Sequence, residues 1–248
     1  MFDHVTIRAR DRDASERFYA RVLRELGIEL TSRGDDGPEW DDFSLTGATP
    51  DRPATTGLHA AFVAPSPAHV DAFWRAGVDA GHRSDGEPGP RPVYGGDDYG
   101  GFLLDPEGNR VEAVHHGARR EGNLDHLWIR VADVAAATAF YDVVAPFGGF
   151  RRGEEQPDTG PALPHRTFFG GNSGSFSVVA GDEPTRQLHV ALPARDNATV
   201  DAFHAAVIAG GYRDNGPPGE RPRYHAGYYG AFVLDPDGTN VEVVCHNR

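Results

Sequence analysis

The chain has 248 residues, 39% of them apolar, with 31 Gly and 19 Pro, enough for two packed domains rich in tight turns. Its net charge of −13 sets 24 Lys and Arg against 37 Asp and Glu with no basic run, which argues against nucleic acid or an anionic membrane as partner. A lone cysteine, Cys245, excludes an internal disulfide. With no N-terminal apolar segment and no run of about 18 apolar residues, a cytoplasmic protein that spans no membrane is expected.

In chain order, HVTIR alternates with period two, placing His4, Thr6 and Arg8 on one face and Val5 and Ile7 on the other. A helix follows, with Asp13 as N-cap, Phe18, Val22 and Leu26 on one stripe, and Gly27 as its stop. A second strand, LHAAFVA, follows from Gly57. Ser66 is positioned to cap a second helix carrying Val70, Phe73, Trp74 and Gly77 inward. Two strands, GFLL and RVEAV, close the half around the turn Asp105-Pro106-Glu107-Gly108. The second half gives strand HLWIR, a helix from Asp133, strands TFFGG and SFSVVAG, and strand LHVALPA. A helix from about Asn197 to Ala209 follows, then strands AFVL and NVEVV around Asp235-Pro236-Asp237-Gly238.

This order is a repeat. FDHVTIRARDRDASERFYARVLRELG from Phe2 returns as LDHLWIRVADVAAATAFYDVVAPFGG from Leu124, and YGGFLLDPEGNRVEAV from Tyr99 returns as YGAFVLDPDGTNVEVV from Tyr229. The expected domains are residues 1–118 and 119–248, joined in the charged stretch HHGARREGN, each built of two strand-helix-three-strand units.

The duplicated skeleton picks out His4, His59 and Glu112 in the first half and His126, His189 and Glu242 in the second, with 53 residues from the second histidine to the glutamate in both (112 − 59 and 242 − 189). Two imidazoles and a carboxylate on three strands of one half form a facial donor set for a divalent ion, leaving coordination positions open to substrate, water or dioxygen. Taken singly, each residue has a plainer explanation, a hydrogen-bonded strand histidine or a surface acid. Against this, Glu112 and Glu242 interrupt the apolar runs VEAV and VEVV, where an unpaired carboxylate is costly to bury.

The DHVTIR start, the S-x-x-FY helix, the LHAAF and LHVAL strands and the endings FLLDPEGNRVEAV and FVLDPDGTNVEVV resemble the vicinal oxygen chelate superfamily of glyoxalase I, extradiol dioxygenases, fosfomycin-resistance enzymes and bleomycin-binding proteins. The resemblance covers almost the whole chain. It implies an α+β fold of four βαβββ modules paired into two glyoxalase-like half-barrel domains, each around a divalent ion held by the donors above. Where a glyoxalase I carries a fourth glutamate ligand, this chain has Ser44 and Ser177. Where related extradiol enzymes carry a tyrosine ten residues before the glutamate, it has Phe102 and Phe232.

The loop before the last strand pair differs between the halves. RPRYHAGYYGAF offers Tyr224, His225, Tyr228 and Tyr229, whereas RPVYGGDDYGGF offers Tyr94 and Tyr99 with Asp97 and Asp98 between them. His225, Tyr228 and Tyr229 are candidate catalytic residues for acid–base work or for orienting an oxyanion; the tyrosines alternatively anchor the loop. Arg8, Trp128, Arg130 and Tyr224 are candidate substrate contacts, the arginines suiting a carboxylate or enolate. The expected function is a metal-dependent lyase, isomerase or dioxygenase acting, as monomer or homodimer, on a small oxygen-rich molecule. Fe2+, Zn2+, Mn2+, Ni2+ and Co2+ all suit the donors. The competing expectation is a binding protein that sequesters an antibiotic or aromatic metabolite without chemistry; a further one is that only the second-half centre is active.

Overall fold

A computed structural model describes residues 1–34, 37–92, 97–117, 122–160 and 163–247. The chain runs through one pattern four times: β1 (His4–Ala9), α1 (Arg12–Arg24), β2 (Ser32–Gly34), β3 (Gly37–Trp40) and β4 (Phe43–Gly47); β5 (Leu58–Val63), α2 (Pro67–Asp79), β6 (Ser84–Pro90), β7 (Tyr99–Leu104) and β8 (Arg110–His115); β9 (Leu124–Val131), α3 (Val134–Gly148), β10 (Arg151–Gln156), β11 (Arg166–Gly171) and β12 (Gly174–Ala180); β13 (His189–Pro193), α4 (Asn197–Ala209), β14 (Arg213–Glu220), β15 (Tyr229–Leu234) and β16 (Asn240–Cys245). Each turn of the pattern is a βαβββ module.

The strands form two eight-stranded mixed sheets, in the orders β14-β15-β16-β13-β1-β4-β3-β2 and β10-β11-β12-β9-β5-β8-β7-β6. The first module thus shares a sheet with the fourth, and the second with the third. Two compact units result, Thr6–Trp128 and Met1–Val5 with Ile129–Arg248, so β1 and β9 are each divided between them. The expected join at 118/119 lies outside the described residues. Among the described residues no helix is long and apolar enough to cross a membrane.

Along β1, Val5, Ile7 and Ala9 are buried at alternate positions, as its period demands, the last two within the unit Thr6–Trp128. Phe18, Tyr19, Trp40, Phe43, Phe62 and Phe73 are fully buried, with Tyr19 and Phe43 ring centroids 4.8 Å apart. Tyr19 donates from the core to Asp105 Oδ2 at 2.9 Å. Asp105 Oδ1 accepts from the Glu107 and Asn109 N–H groups, closing the expected turn, with Gly108 at φ 88°. The other unit repeats the device: Tyr141 donates to Asp235 at 3.2 Å, Asp235 caps Asp237 and Thr239, and Phe169 stacks on Phe176 at 4.9 Å.

Four local expectations need correction. The N-cap of α1 is Asp11, whose Oδ1 accepts from Ala14 N–H, rather than Asp13, which lies in the first turn. That helix ends at Arg24, three residues short of Gly27. Ser66 precedes α2 without a capping bond; its hydroxyl pairs with His69 Nδ1 instead. Trp74 is half-exposed and donates its indole N–H to Ser84, while Val70, Phe73 and Gly77 do face inward. Strands β6 and β14, rich in Gly and Pro, were hidden behind turn chemistry; they pair with β7 and β15 through irregular registers.

Candidate metal centre

The strand registers decide which side chains meet. Parallel β13 and β16 pair His189 with Asn240 and Ala191 with Glu242, which puts His189 and Glu242 diagonally on one face; β5 and β8 do the same with His59 and Glu112. Antiparallel β15 and β7 bring Phe232 and Phe102 directly opposite the two glutamates.

The six predicted donors gather into two groups, but not half by half: His4 joins His189 and Glu242, and His126 joins His59 and Glu112, with all donor atoms of a group within 4.8 Å of one another. The expectation that each half supplies its own three donors is corrected. The cause is the strand order, in which β1 lies next to β13 and β9 next to β5.

At the first group, Glu242 Oε2 lies 3.1 Å from His189 Nε2 and 3.8 Å from His4 Nε2, and the two Nε2 atoms are 3.2 Å apart. At the second, Glu112 Oε2 lies 2.8 Å from His59 Nε2 and 3.4 Å from His126 Nε2. Ligands at about 2.1 Å from one ion are separated by roughly 3.0 Å at right angles and roughly 3.4 Å in a tetrahedron. The observed spacings bracket both, so the donor sets fit a divalent cation. The carboxylates are 1% and 4% exposed, and a glycine stands against each: a Cβ on Gly230 would lie 2.5 Å from Glu242 Oε1, and one on Gly100 2.8 Å from Glu112 Oε1. Neither glycine has positive φ, so space rather than backbone freedom explains it.

Burial and neighbouring charge pull in opposite directions on the second group. Burial alone would raise the Glu112 pKa, but hydrogen bonds from His126 and His59 hold it at about 2. Burial likewise works against charge on His126, yet Asp125 and Glu112 lift it to about 9. His59, where burial dominates, falls to about 4. In the other group burial lowers His189, against the pull of Glu242.

Behind each first histidine stands an aspartate and a further histidine. His126 Nδ1 meets Asp125 Oδ1 at 2.8 Å, the same oxygen takes His116 Nε2 at 3.0 Å, and His116 Nδ1 reaches Asp98 Oδ1 at 2.6 Å. His4 Nδ1 meets Asp3 Oδ1 at 2.8 Å, Asp3 Oδ2 takes His246 Nε2 at 2.8 Å, and His246 Nδ1 reaches His225 Nε2 at 2.8 Å. Sequence reasoning missed Asp3, Asp125, His116 and His246. The signal was there in both copies, an Asp before the first histidine and a His four residues after the glutamate.

Of the aromatic loop, Tyr228 is 5% exposed and donates to Glu242 Oε1 at 2.7 Å. His225 is linked to the group through His246 and Asp3, and its ring packs edge-on against Tyr228 at 5.3 Å. Tyr229 donates instead to Asp201 on α4, as Tyr99 does to Asp71 on α2, so it is a loop anchor and leaves the candidate site. Tyr224 is 40% exposed and packs on Tyr228 at 4.7 Å; Tyr94 lies outside the described residues. Trp128 lies 5.3 Å from the His59 ring. Arg8 is half-buried and Arg130 exposed, farther along the strand faces of His4 and His126. Ser44 bonds Thr6 at 2.7 Å and Ser177 is buried opposite Phe168.

Comparison with known proteins agrees with this architecture. The family model for the Glyoxalase/Bleomycin resistance protein/Dioxygenase superfamily matches residues 1–113 and again 123–243. None of the curated proteins compared with the chain matches it. Glyoxalase I from Zea mays superposes with a TM-score of 0.70 at 21% identity, over 99% of this chain and 92% of that one. A candidate dioxygenase from Bacillus subtilis gives 0.62 at 14% identity, over 100% and 85%. At such identities the structural likeness is one of fold, and the two family matches carry the assignment: the chain belongs to the Glyoxalase/Bleomycin resistance protein/Dioxygenase superfamily.

Proposed function

We propose that the chain is a metal-dependent enzyme in which His4, His189 and Glu242 hold one divalent cation and His59, His126 and Glu112 another. A small substrate would complete each coordination sphere through two adjacent oxygens. One observation carries this reading: a buried carboxylate facing two imidazole nitrogens, built twice in one chain. A sequestering role gives no reason to bury these acids.

The ion, when bound, supplies Lewis acidity that polarises a carbonyl or hydroxyl of the substrate. The protein does the rest. Tyr228 keeps its proton, because burial and the Glu242 carboxylate both raise its pKa, and so it stays a donor that fixes Glu242. Trp128 offers a flat wall beside His59. Arg8, Arg130 and Tyr224 are proposed to meet the anionic or aromatic part of the substrate, and His225 to support the Glu242 centre. The reaction belongs to the lyase, isomerase or dioxygenase class, the last requiring Fe2+. The lone Cys245 suits the reducing cytoplasm in which we place the chain.

Metal analysis after reconstitution with Fe, Mn, Ni, Co or Zn tests the reading. Near two ions per chain are expected, with one lost in Glu242→Gln and the other in Glu112→Gln. Absence of any bound ion ends it. The loaded protein is then screened with catechols, α-ketoaldehydes and 2-oxo acids.

A further inference from the structure

The two centres share a feature outside their donors. His116 and His246 sit four residues beyond the glutamates, one past the end of β8 and β16, and each puts Nε2 on the aspartate that holds the first histidine. Asp125 is 2% exposed, and the Asp3 side chain 16%. A buried carboxylate needs donors on its oxygens. The outer histidine supplies one and the donor histidine's Nδ1–H another. A neutral imidazole whose Nδ1–H is spent on a carboxylate has its lone pair on Nε2, the atom that faces the partner donors here. Remove the outer histidine, and the aspartate loses that donor and with it one hold on its orientation.

We propose that His116 and His246 are positioning residues: through Asp125 and Asp3 they lock the imidazoles of His126 and His4 in the tautomer and orientation that presents Nε2 to the cation. This rests on the metal reading above. The arrangement occurs twice with different outer ends, Asp98 beyond His116 and His225 beyond His246. The shared part is therefore the Asp–His pair, not its surroundings.

The test reads Co2+ alone, by calorimetric titration and by the visible absorption of the bound ion, in the full chain carrying Glu112→Gln so that one centre reports. His246→Ala is expected to weaken Co2+ binding by roughly 10- to 100-fold and to shift the absorption bands. His246→Gln, which returns an N–H donor near the position of Nε2, is expected to restore most of both. If His246→Ala does not fold, His246→Phe replaces it, filling the space without a donor, with the same expectation. Affinity and spectrum unchanged from the Glu112→Gln parent overturn the proposal and leave the metal reading intact. A Glu112→Gln parent that binds no Co2+ while Glu242→Gln also binds none overturns both.

Discussion

Gly230→Ala puts a single methyl group against the carboxylate of Glu242. Its Cβ would lie 2.5 Å from Oε1 and 3.3 Å from Tyr228 Cε1. An ordinary carbon–oxygen contact needs about 0.8 Å more. Oε1 accepts from Tyr228 and Oε2 faces His189 at 3.1 Å, so the carboxylate cannot yield by that amount without giving up one of them. Metal ligation tolerates errors of only about 0.2 Å. The affinity of this centre is therefore expected to fall at least ~100-fold, about 2.8 kcal/mol. The fold survives: the overpacking costs about 1–3 kcal/mol, partly offset by the roughly 0.5–1 kcal/mol that alanine gains over glycine within a strand. Calorimetric Co2+ titration of the full chain checks this. The stoichiometry drops from two to one in Gly230→Ala and again in Gly100→Ala, whose Cβ meets Glu112 Oε1 at 2.8 Å. Two sites of parental affinity in Gly230→Ala would refute the reasoning.

Tyr228→Phe leaves a buried oxygen of Glu242 without its donor and is expected to lower the stability of the metal-free chain by about 1–3 kcal/mol, read from urea midpoints; an unchanged midpoint contradicts it. At the Glu112 centre the ion must displace the proton that His126 holds up to about pH 9. In a Glu242→Gln chain, Co2+ affinity should thus climb up to about tenfold per pH unit from about pH 6 toward 9 and then level off, whereas flat affinity over that range argues against it. Tyr19→Phe removes the core hydroxyl that holds the buried Asp105 and is expected to cost about 1.5–3 kcal/mol in equilibrium denaturation. A loss within about 0.5 kcal/mol would place it among neutral substitutions.

Where alternation or a stop signal acts locally, the sequence was legible. The HVTIR strand, the helix Asn197–Ala209 and the two Asp-Pro-x-Gly turns formed as expected. Strands β6 and β14 were missed because SDGEPGP and RDNGPPGE carry the residues of turns, tolerated where the pairing register is irregular. The α1 cap was misplaced because ARDRDAS holds two aspartates two residues apart, and it is Asp11 that takes the capping bond from Ala14 N–H. The six donors could be picked out because duplication preserved their register. Their grouping could not, since a repeat carries no information about which module pairs with which. His116 and His246 recur in register too, yet they meet Asp125 and Asp3 rather than the donor atoms, so donor chemistry alone does not pick them out.

The exchange of strands β1 and β9 has a consequence for the chain as a divisible object. Cut anywhere between Glu112 and His126, neither fragment retains three donors of a common centre: one keeps His4, His59 and Glu112, the other His126, His189 and Glu242. Under the proposed metal reading, chelation thus requires both fragments, and cation uptake would report whether they have found each other. The same covalent tie lets the two pockets drift apart chemically, with Asp98 behind one and Tyr228 against the other, a freedom denied to a pair of identical half-length subunits.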